Sequence, residues 1–238
     1  PEHWTKQSIK TLMNLHKGVN TENNPTVLSV TLNGIKIKDI ESGKGQLSES
    51  YENYNPVTPK HIVFNPMDLI SGFVGKPPVN GVVSPAYTSM TVAKKCDIDF
   101  YVYLFQKFYH EKILFPYGKG VSFDHRWTIN NETFFGLPTL FPPTEEQKQI
   151  ATFLDNATNK IDSLIQKQTK LIELLKEKRQ AVISHAVTKG INPKVEMKDT
   201  GINYLGTIPN HWKKKRLKHC TKKIKAGPFG SSLKKDVY

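Results

Sequence analysis

Apolar residues recur every three or four positions from Ile150 to Val182, and this periodicity dominates the chain. The series runs Ile150, Leu154, Ala157, Ile161, Leu164, then polar Gln168, then Leu171, Leu175, Lys178 and Val182. That spacing keeps one seam of a helix facing a partner helix. Pro142 and Pro143 close the preceding loop, Thr144 and Gln147 form a capping-box pattern, and no Gly or Pro interrupts the run until Gly190, a natural left-handed terminator. One helix is therefore predicted from Thr144 to Lys189, roughly 70 Å long at about 1.5 Å per residue. An apolar stripe usually marks an ordinary core helix, but globular helices run about 8 to 20 residues, and length favours a coiled-coil element here. Phe153, Ile165, Ile172 and Leu174 widen the stripe, so more than one neighbour is expected. Gln168 in the seam costs stability and fixes register. An antiparallel partner is expected, although heptad spacing alone suits either orientation.

Upstream the pattern changes. Thr26 to Thr31, Ile62 to Asn65 and Tyr87 to Ala93 have strand composition, Phe100 to Ile113 is an aromatic-rich helix candidate, and Gly and Pro punctuate the loops. The expected fold class is α+β: a mixed α/β domain over 1–143, one long coiled-coil-forming helix over 144–190, and a linker with the start of a second, incomplete domain over 191–238. The last assignment rests on a repeat. Pro1-Glu2-His3-Trp4 through Lys10 aligns with Pro209-Asn210-His211-Trp212 through Lys218, matching Pro, His, Trp and two Lys, with Ile9 opposite Leu217. The repeat also leads us to expect that the natural chain begins upstream of Pro1.

Charge alters this picture only locally. The formal net charge is +13, but ten basic residues against one acid lie from Pro209 onward, leaving 24 basic and 20 acidic residues on the other 208. A basic run is often a solvated face and supports nucleic-acid binding only in part. About 30 residues are too few for an independent core, so the tail is expected to be disordered unless it packs elsewhere or contacts phosphate. Cys96 and Cys220 in a lysine-rich chain read as reduced thiols, and no apolar run reaches the 18 or more residues of a membrane span. The cytoplasm is the expected location.

Catalytic signals are sparse. Asn65-Pro66-Met67-Asp68 approaches the Asn-Pro-Pro-aromatic motif of adenine methyltransferases but lacks the second proline and the aromatic, and reads as a turn before a strand. No P-loop is present. Glu145 and Glu146 sit where they favour the helix dipole. His185 reads as a seam or partner contact. His211, His219 and Cys220 lack a second paired-ligand cluster, so no metal site is expected.

FPPTEEQKQIATFLD, KIDSLI, LLKEKRQAVISHAVTKG and GTIPNHW together resemble the central region of type I restriction-modification specificity subunits (HsdS). VLSVTLNGI (27–35), NPMDLI (65–70) and VVSPAYTSM (82–90) resemble the recurring segments of that family's target-recognition domains. The resemblance implies a non-catalytic subunit in which two such domains, separated by two antiparallel helices, each read half of a split DNA site. It also implies docking of methyltransferase subunits, which carry AdoMet, and of a motor-nuclease subunit, which uses ATP and Mg; no cofactor is expected in this chain. With one complete recognition domain and one helix, the sequence resembles a half-length or truncated subunit.

An exposed seam favours isologous pairing, so an antiparallel homodimer is expected, its two copies reading an inverted repeat. Candidate contacts to double-stranded DNA are Lys76 in the loop over 71–81, Tyr87, Lys119 in the YGKG stretch, His125 and Arg126. Arg126 is the best suited to a bidentate guanine contact. For each one singly, an ordinary surface or core role is the commoner outcome. Two other readings stay open. One is an interaction protein that modulates assembly of a full-length specificity subunit or methyltransferase without reading DNA. The other is a reservoir of recombining sequence.

Overall fold

The computed structural model describes residues 1–32, 34–40, 48, 50–70, 72–120 and 127–221. The chain forms two compact units, Pro1–Lys160 and Ile161–Tyr238. In the first, β1 (Thr5–Ser8), the short helix α1 (Ile9–Leu12) and β2 (Met13–His16) lead to β3 (Val27–Thr31), β4 (Gly34–Ile37), β5 (Asn55–Val57), β6 (Ile62–Phe64), β7 (Val74–Gly75), β8 (Gly81–Val83) and β9 (Thr88–Val92). Helices α2 (Ile98–His110) and α3 (Asn131–Gly136) and strand β10 (Pro138–Phe141) bring the chain to α4 (Thr144–Lys189). After α4 come β11 (Met197–Asp199) and β12 (Thr207–Pro209), an antiparallel pair.

Two four-stranded sheets form the body of the first unit, ordered β2-β9-β6-β7 and β4-β3-β8-β5, while β1 pairs with β10. Strand β6 ties the sheets together because it is buried on both faces. Successive strand side chains point to opposite sides. Ile62 and Phe64 therefore enter the main core, and Val63 enters a smaller cluster with Leu28, Ile35, Val57 and Val83 of the other sheet. The main core gathers Ile9, Leu12, Met13 and Met90 beneath the aromatic face of α2. Phe134 of α3 stacks on Phe64, ring centroids 4.4 Å apart, and meets Phe105 edge-on at 5.6 Å.

The three expected strands correspond to β3, β6 and β9, and the aromatic helix to α2, with shifted ends. Helix α2 starts earlier because the Asp97 carboxylate accepts the Phe100 amide at 3.0 Å. It stops at His110 because Lys112 takes φ 54° and the Ile113 amide turns back to the Phe108 carbonyl at 2.9 Å, a Schellman-type ending. Glycine is the usual occupant of that left-handed position, so a lysine there gives no signal. Asn65-Pro66-Met67-Asp68 does form a turn, between β6 and β7. The Asn65 side chain accepts the Met67 amide at 2.9 Å, and the Asp68 carboxylate accepts that of Ile70 at 3.0 Å.

Helix α4 spans the predicted residues and ends at Gly190, whose φ is 79°. Its first turn is held differently from the sequence expectation, for the capping box does not form. Thr144 Oγ1 donates to the Lys95 carbonyl at 2.9 Å. Gln147 is wholly buried, accepts the Asp97 amide at 2.8 Å and donates to the Pro142 carbonyl at 2.8 Å. A carboxamide offers both an acceptor and donors, so one side chain fastens α4 to the cap of α2 and to the preceding loop. The next turns continue that contact: Ala151 is buried, Ile150 packs against the main core, and Tyr103 Oη donates to Asp155 Oδ1 at 2.7 Å. The first compact unit accordingly runs past Pro143, to Lys160.

The repeat is also visible in the backbone. The Trp4 amide donates to the Pro1 carbonyl at 3.2 Å, and the Trp212 amide to the Pro209 carbonyl at 2.9 Å. Ser8 (φ −74°, ψ 146°) and Arg216 (φ −71°, ψ 142°) then share one extended conformation, each leading into a helical turn, α1 and Leu217–His219. Their surroundings differ. Ile9 is fully buried, whereas Leu217 is 70% exposed. Residues 213–216 have no strand partner among the described residues, whereas β1 has β10.

Gln147→Ala removes two buried hydrogen bonds and is expected to destabilise the first unit by about 2–4 kcal/mol. Thr144→Ala, losing an exposed one, is expected to cost less than about 1 kcal/mol. Urea unfolding of the two variants checks this, and the reverse ranking would restore the capping box.

Candidate nucleic-acid interface

Two neighbouring depressions in the first unit share Ala86 and Tyr87. The larger, about 720 Å³, is lined by Ser29 and Val30 of β3, Lys38, Ser48, Tyr54, Asn65, Met67, Ser84, Ala86 and Tyr87. The smaller, about 320 Å³, adds Leu15, His16, Lys17, Asn55, Pro66, Pro85, Thr88, Ser89 and Ile129 to Asn131. Turn chemistry builds the ridge between them. Ser84 Oγ accepts the Ala86 amide at 3.3 Å and the Ser84 carbonyl accepts the Tyr87 amide at 3.0 Å, presenting Tyr87 between the hollows. Thr88 Oγ1 donates to Asn131 Oδ1 at 2.7 Å, and Asn130 caps α3 by accepting the Thr133 amide at 2.7 Å.

The lining is mostly neutral and able to hydrogen-bond. Burial raises the Tyr87 hydroxyl above its ordinary pKa, against a smaller opposing effect of the Val30 backbone, so it stays protonated at neutral pH as both donor and acceptor. Serine, asparagine and tyrosine side chains of this kind are able to hydrogen-bond base edges, and Lys17, exposed in the smaller hollow, adds a cationic donor of the type that contacts phosphate. Among the described residues no group of three or more His, Cys, Asp or Glu could hold a metal ion. No described helix is long and apolar enough to cross a membrane.

The structure distributes the predicted DNA residues unevenly. Tyr87 lines both hollows. Lys76 lines neither and pairs with Asp99 in the first turn of α2. Lys119 bridges Thr128 through both backbone groups, at 2.8 and 2.9 Å, and Ile129, the next residue after Thr128, lines the smaller hollow. His125 and Arg126 lie outside the described residues. Sequence reasoning missed Lys17, Ser29, Lys38, Tyr54, Ser84 and Asn131, and also Asn65 as a lining residue. They are scattered over the chain, and only the sheet topology assembles them.

The predicted helix interface splits in two. Ile150 packs against the main core, and Leu154 and Ala157 are only partly exposed. From Ile161 onward the seam is open: Ile161, Leu164, Leu171, Leu175 and Val182 are between 48% and 58% exposed, as are the flanking Ile165, Ile172 and Leu174. Gln168 and His185 are exposed as well.

No family model matches the sequence. The chain is similar to the Type I restriction enzyme MjaVIII specificity subunit of Methanocaldococcus jannaschii, 29% identical over 171 residues that cover 68% of this chain and 37% of that one. The HsdS subunit from Thermoanaerobacter tengcongensis superposes with a TM-score of 0.51 at 14% identity, over 80% of this chain and 46% of its own. The fold is that of HsdS. A chain from a structure on complex assembly and conformational transition of the type I R-M system agrees, with a TM-score of 0.56 at 14% identity over 80% of this chain and 47% of its own. The sequence thus spans about a third of the curated HsdS-type relative's length and less than half of these two structures.

Beside the smaller hollow, the His16 and His61 rings lie 4.1 Å apart, with His16 Nε2 at 2.9 Å from the Pro56 carbonyl. His61 Nδ1 accepts the Thr58 amide at 2.9 Å. Burial, and then the neighbouring His16, hold the His61 pKa below its ordinary value. The unfolded chain therefore binds more protons than the folded one as pH falls. The contribution of His61 to stability is complete above about pH 6.5 and is lost below it, as pH drops through the lowered folded value. Stability measured by urea unfolding is expected to fall below about pH 6.5, and His61→Phe, which keeps a ring against His16, is expected to flatten that slope.

Proposed function

We propose that this chain is a DNA-specificity module of a type I restriction-modification complex, with the paired hollows around Tyr87 reading one half of a bipartite site. Similarity to a type I specificity subunit, running with the HsdS fold through both the domain and the helix, carries this reading. The exposed seam of α4 takes a second helix, supplied by another copy of the chain in antiparallel orientation, and the same helix docks the adenine methyltransferase subunit. Catalysis belongs to the other subunits: AdoMet on the methyltransferase, ATP and Mg on the motor-nuclease. The complex works on DNA in the cytoplasm.

The energetics support pairing. Each copy leaves eight seam and flanking aliphatic side chains roughly half exposed. At about 1.5–3 kcal/mol per fully buried side chain, covering both sets gives on the order of 10–20 kcal/mol, comparable to or above the roughly 4–15 kcal/mol cost of association. An interaction protein that only pairs with a full-length specificity chain would use the same seam but make no use of the hollows.

The deciding measurement is an adenine-methylation map of DNA from a methylation-free bacterial host co-expressing the chain with its methyltransferase subunit. A split, palindromic modified site is expected. A split but asymmetric site would mean that a different specificity chain supplies the second half. No modification, with both proteins soluble, would overturn DNA reading in favour of the interaction protein. At the level of residues, Lys17→Ala is expected to weaken binding of all duplexes alike and to lower the slope of log K against log salt by about 1. Tyr87→Phe, which removes only the hydroxyl, is expected to weaken the cognate half-site by about 3–10-fold with the salt slope unchanged.

A further inference from the structure

The open part of the seam is symmetric about its own middle. Reflection through Glu173 exchanges Leu171 with Leu175, Ile172 with Leu174, Leu164 with Val182 and Ile165 with Ala181. It also exchanges the two polar interruptions, Gln168 and Lys178. Glu173 is at the same time the midpoint of the free stretch. The first compact unit ends at Lys160, and at Ala186 the helix meets the hollow closed by Pro209, His211 and Trp212, leaving residues 161–185 between them.

We propose that two copies pair antiparallel through residues 161–185 about a two-fold axis at Glu173, so that Gln168 of each copy faces Lys178 of the other. This inference rests on the pairing put forward above and fixes its register. An isologous contact requires a self-complementary surface, and this register satisfies the requirement layer by layer. Leu171 meets Leu175, Leu164 meets Val182, and Ile172 and Leu174 flank the centre on its two sides. Polar residues meet polar ones, and only at the ends does an aliphatic side chain, Ile161, face His185. Moving the axis half a heptad, to between Thr169 and Lys170, places Gln168 against Leu171 and Lys178 against Ile161. Each polar group would then lie against an aliphatic one. Eight aliphatic side chains, each about half exposed, supply on the order of 800 Å² per copy, the size of a standard stable interface. In this register the two Thr158 residues are 30 helix levels apart, about 45 Å along the axis.

Sedimentation equilibrium of the full chain tests the axis. Wild type is expected to be a dimer at micromolar concentration. Gln168→Glu places a carboxylate opposite Lys178 twice in the dimer and is expected to tighten it by about 2–10-fold. The gain should shrink with salt and vanish in a Lys178→Gln background. Gln168→Lys is expected to loosen the dimer by a similar factor. If wild type dimerises but Gln168→Glu weakens it or leaves it unchanged, the axis is wrong and the pairing stands. A wild-type monomer at these concentrations overturns the pairing as well. Neither result bears on DNA reading, which the methylation map decides separately.

Discussion

Helix α4 has more apolar face than its own domain can cover, and much else follows from that mismatch. Gln147, Ile150 and Ala151 anchor its start among buried groups, yet the same stripe continues for more than twenty residues with aliphatic side chains about half exposed. In water such a face favours whatever removes it from solvent. The helix is therefore a structural commitment made by a domain that buries only its start. Gln147 gives that commitment a direction, because its two hydrogen bonds tie the first turn to the cap of α2 and to Pro142. An apolar residue there could fill the space but could not satisfy the Asp97 amide.

The hollows around Tyr87 depend on a second constraint, the sharing of β6 between two cores. Because Ile62-Val63-Phe64 is buried on both sides, the two sheets are held in fixed relation. Loops from each, 84–87 and the turn after Phe64, can then meet reproducibly. Short polar side chains shape those loops: Ser84 and Asn65 each hold an amide two residues ahead. Residues that build a turn are thus also residues that line the hollows.

Some of this was legible in the sequence because the signal was local and periodic. The length of α4, its Gly190 ending and the repeat around Trp4 and Trp212 depend on spacing alone, and each reappears in the backbone. Other features depended on distant partners and left no trace. A glutamine three residues after a threonine looks like a capping box whether or not Asp97 lies within reach. The Lys112 ending lacks the glycine that would have announced it. Tyr87 could be singled out by residue type, but Lys17, Tyr54 and Asn131 join it only through sheet order, which strand composition does not specify. Lys76 shows the converse limit, for its place in a glycine-proline loop suggests phosphate and says nothing of its pairing with Asp99.

The two copies of the Pro-x-His-Trp turn show how one sequence element serves both ends of α4. At the start, His3 Nε2 lies 2.8 Å from Glu146 Oε2, and that hydrogen bond holds the Glu146 carboxyl below the ordinary carboxylate range. At the end, Pro209 and Trp212 close over Gly190, where a side chain would come within 3.5 and 3.7 Å of them. Those are ordinary packing distances, so it is the left-handed backbone, φ 79°, that favours glycine there. In the first copy the turn continues into a strand with a partner and a fully buried isoleucine. In the second, the same backbone path leads to an exposed leucine. The turn keeps one backbone path in both copies although the residues after it are packed differently. The helix thus carries the same Pro-x-His-Trp turn at both ends, and its open seam between them is symmetric in sequence about Glu173.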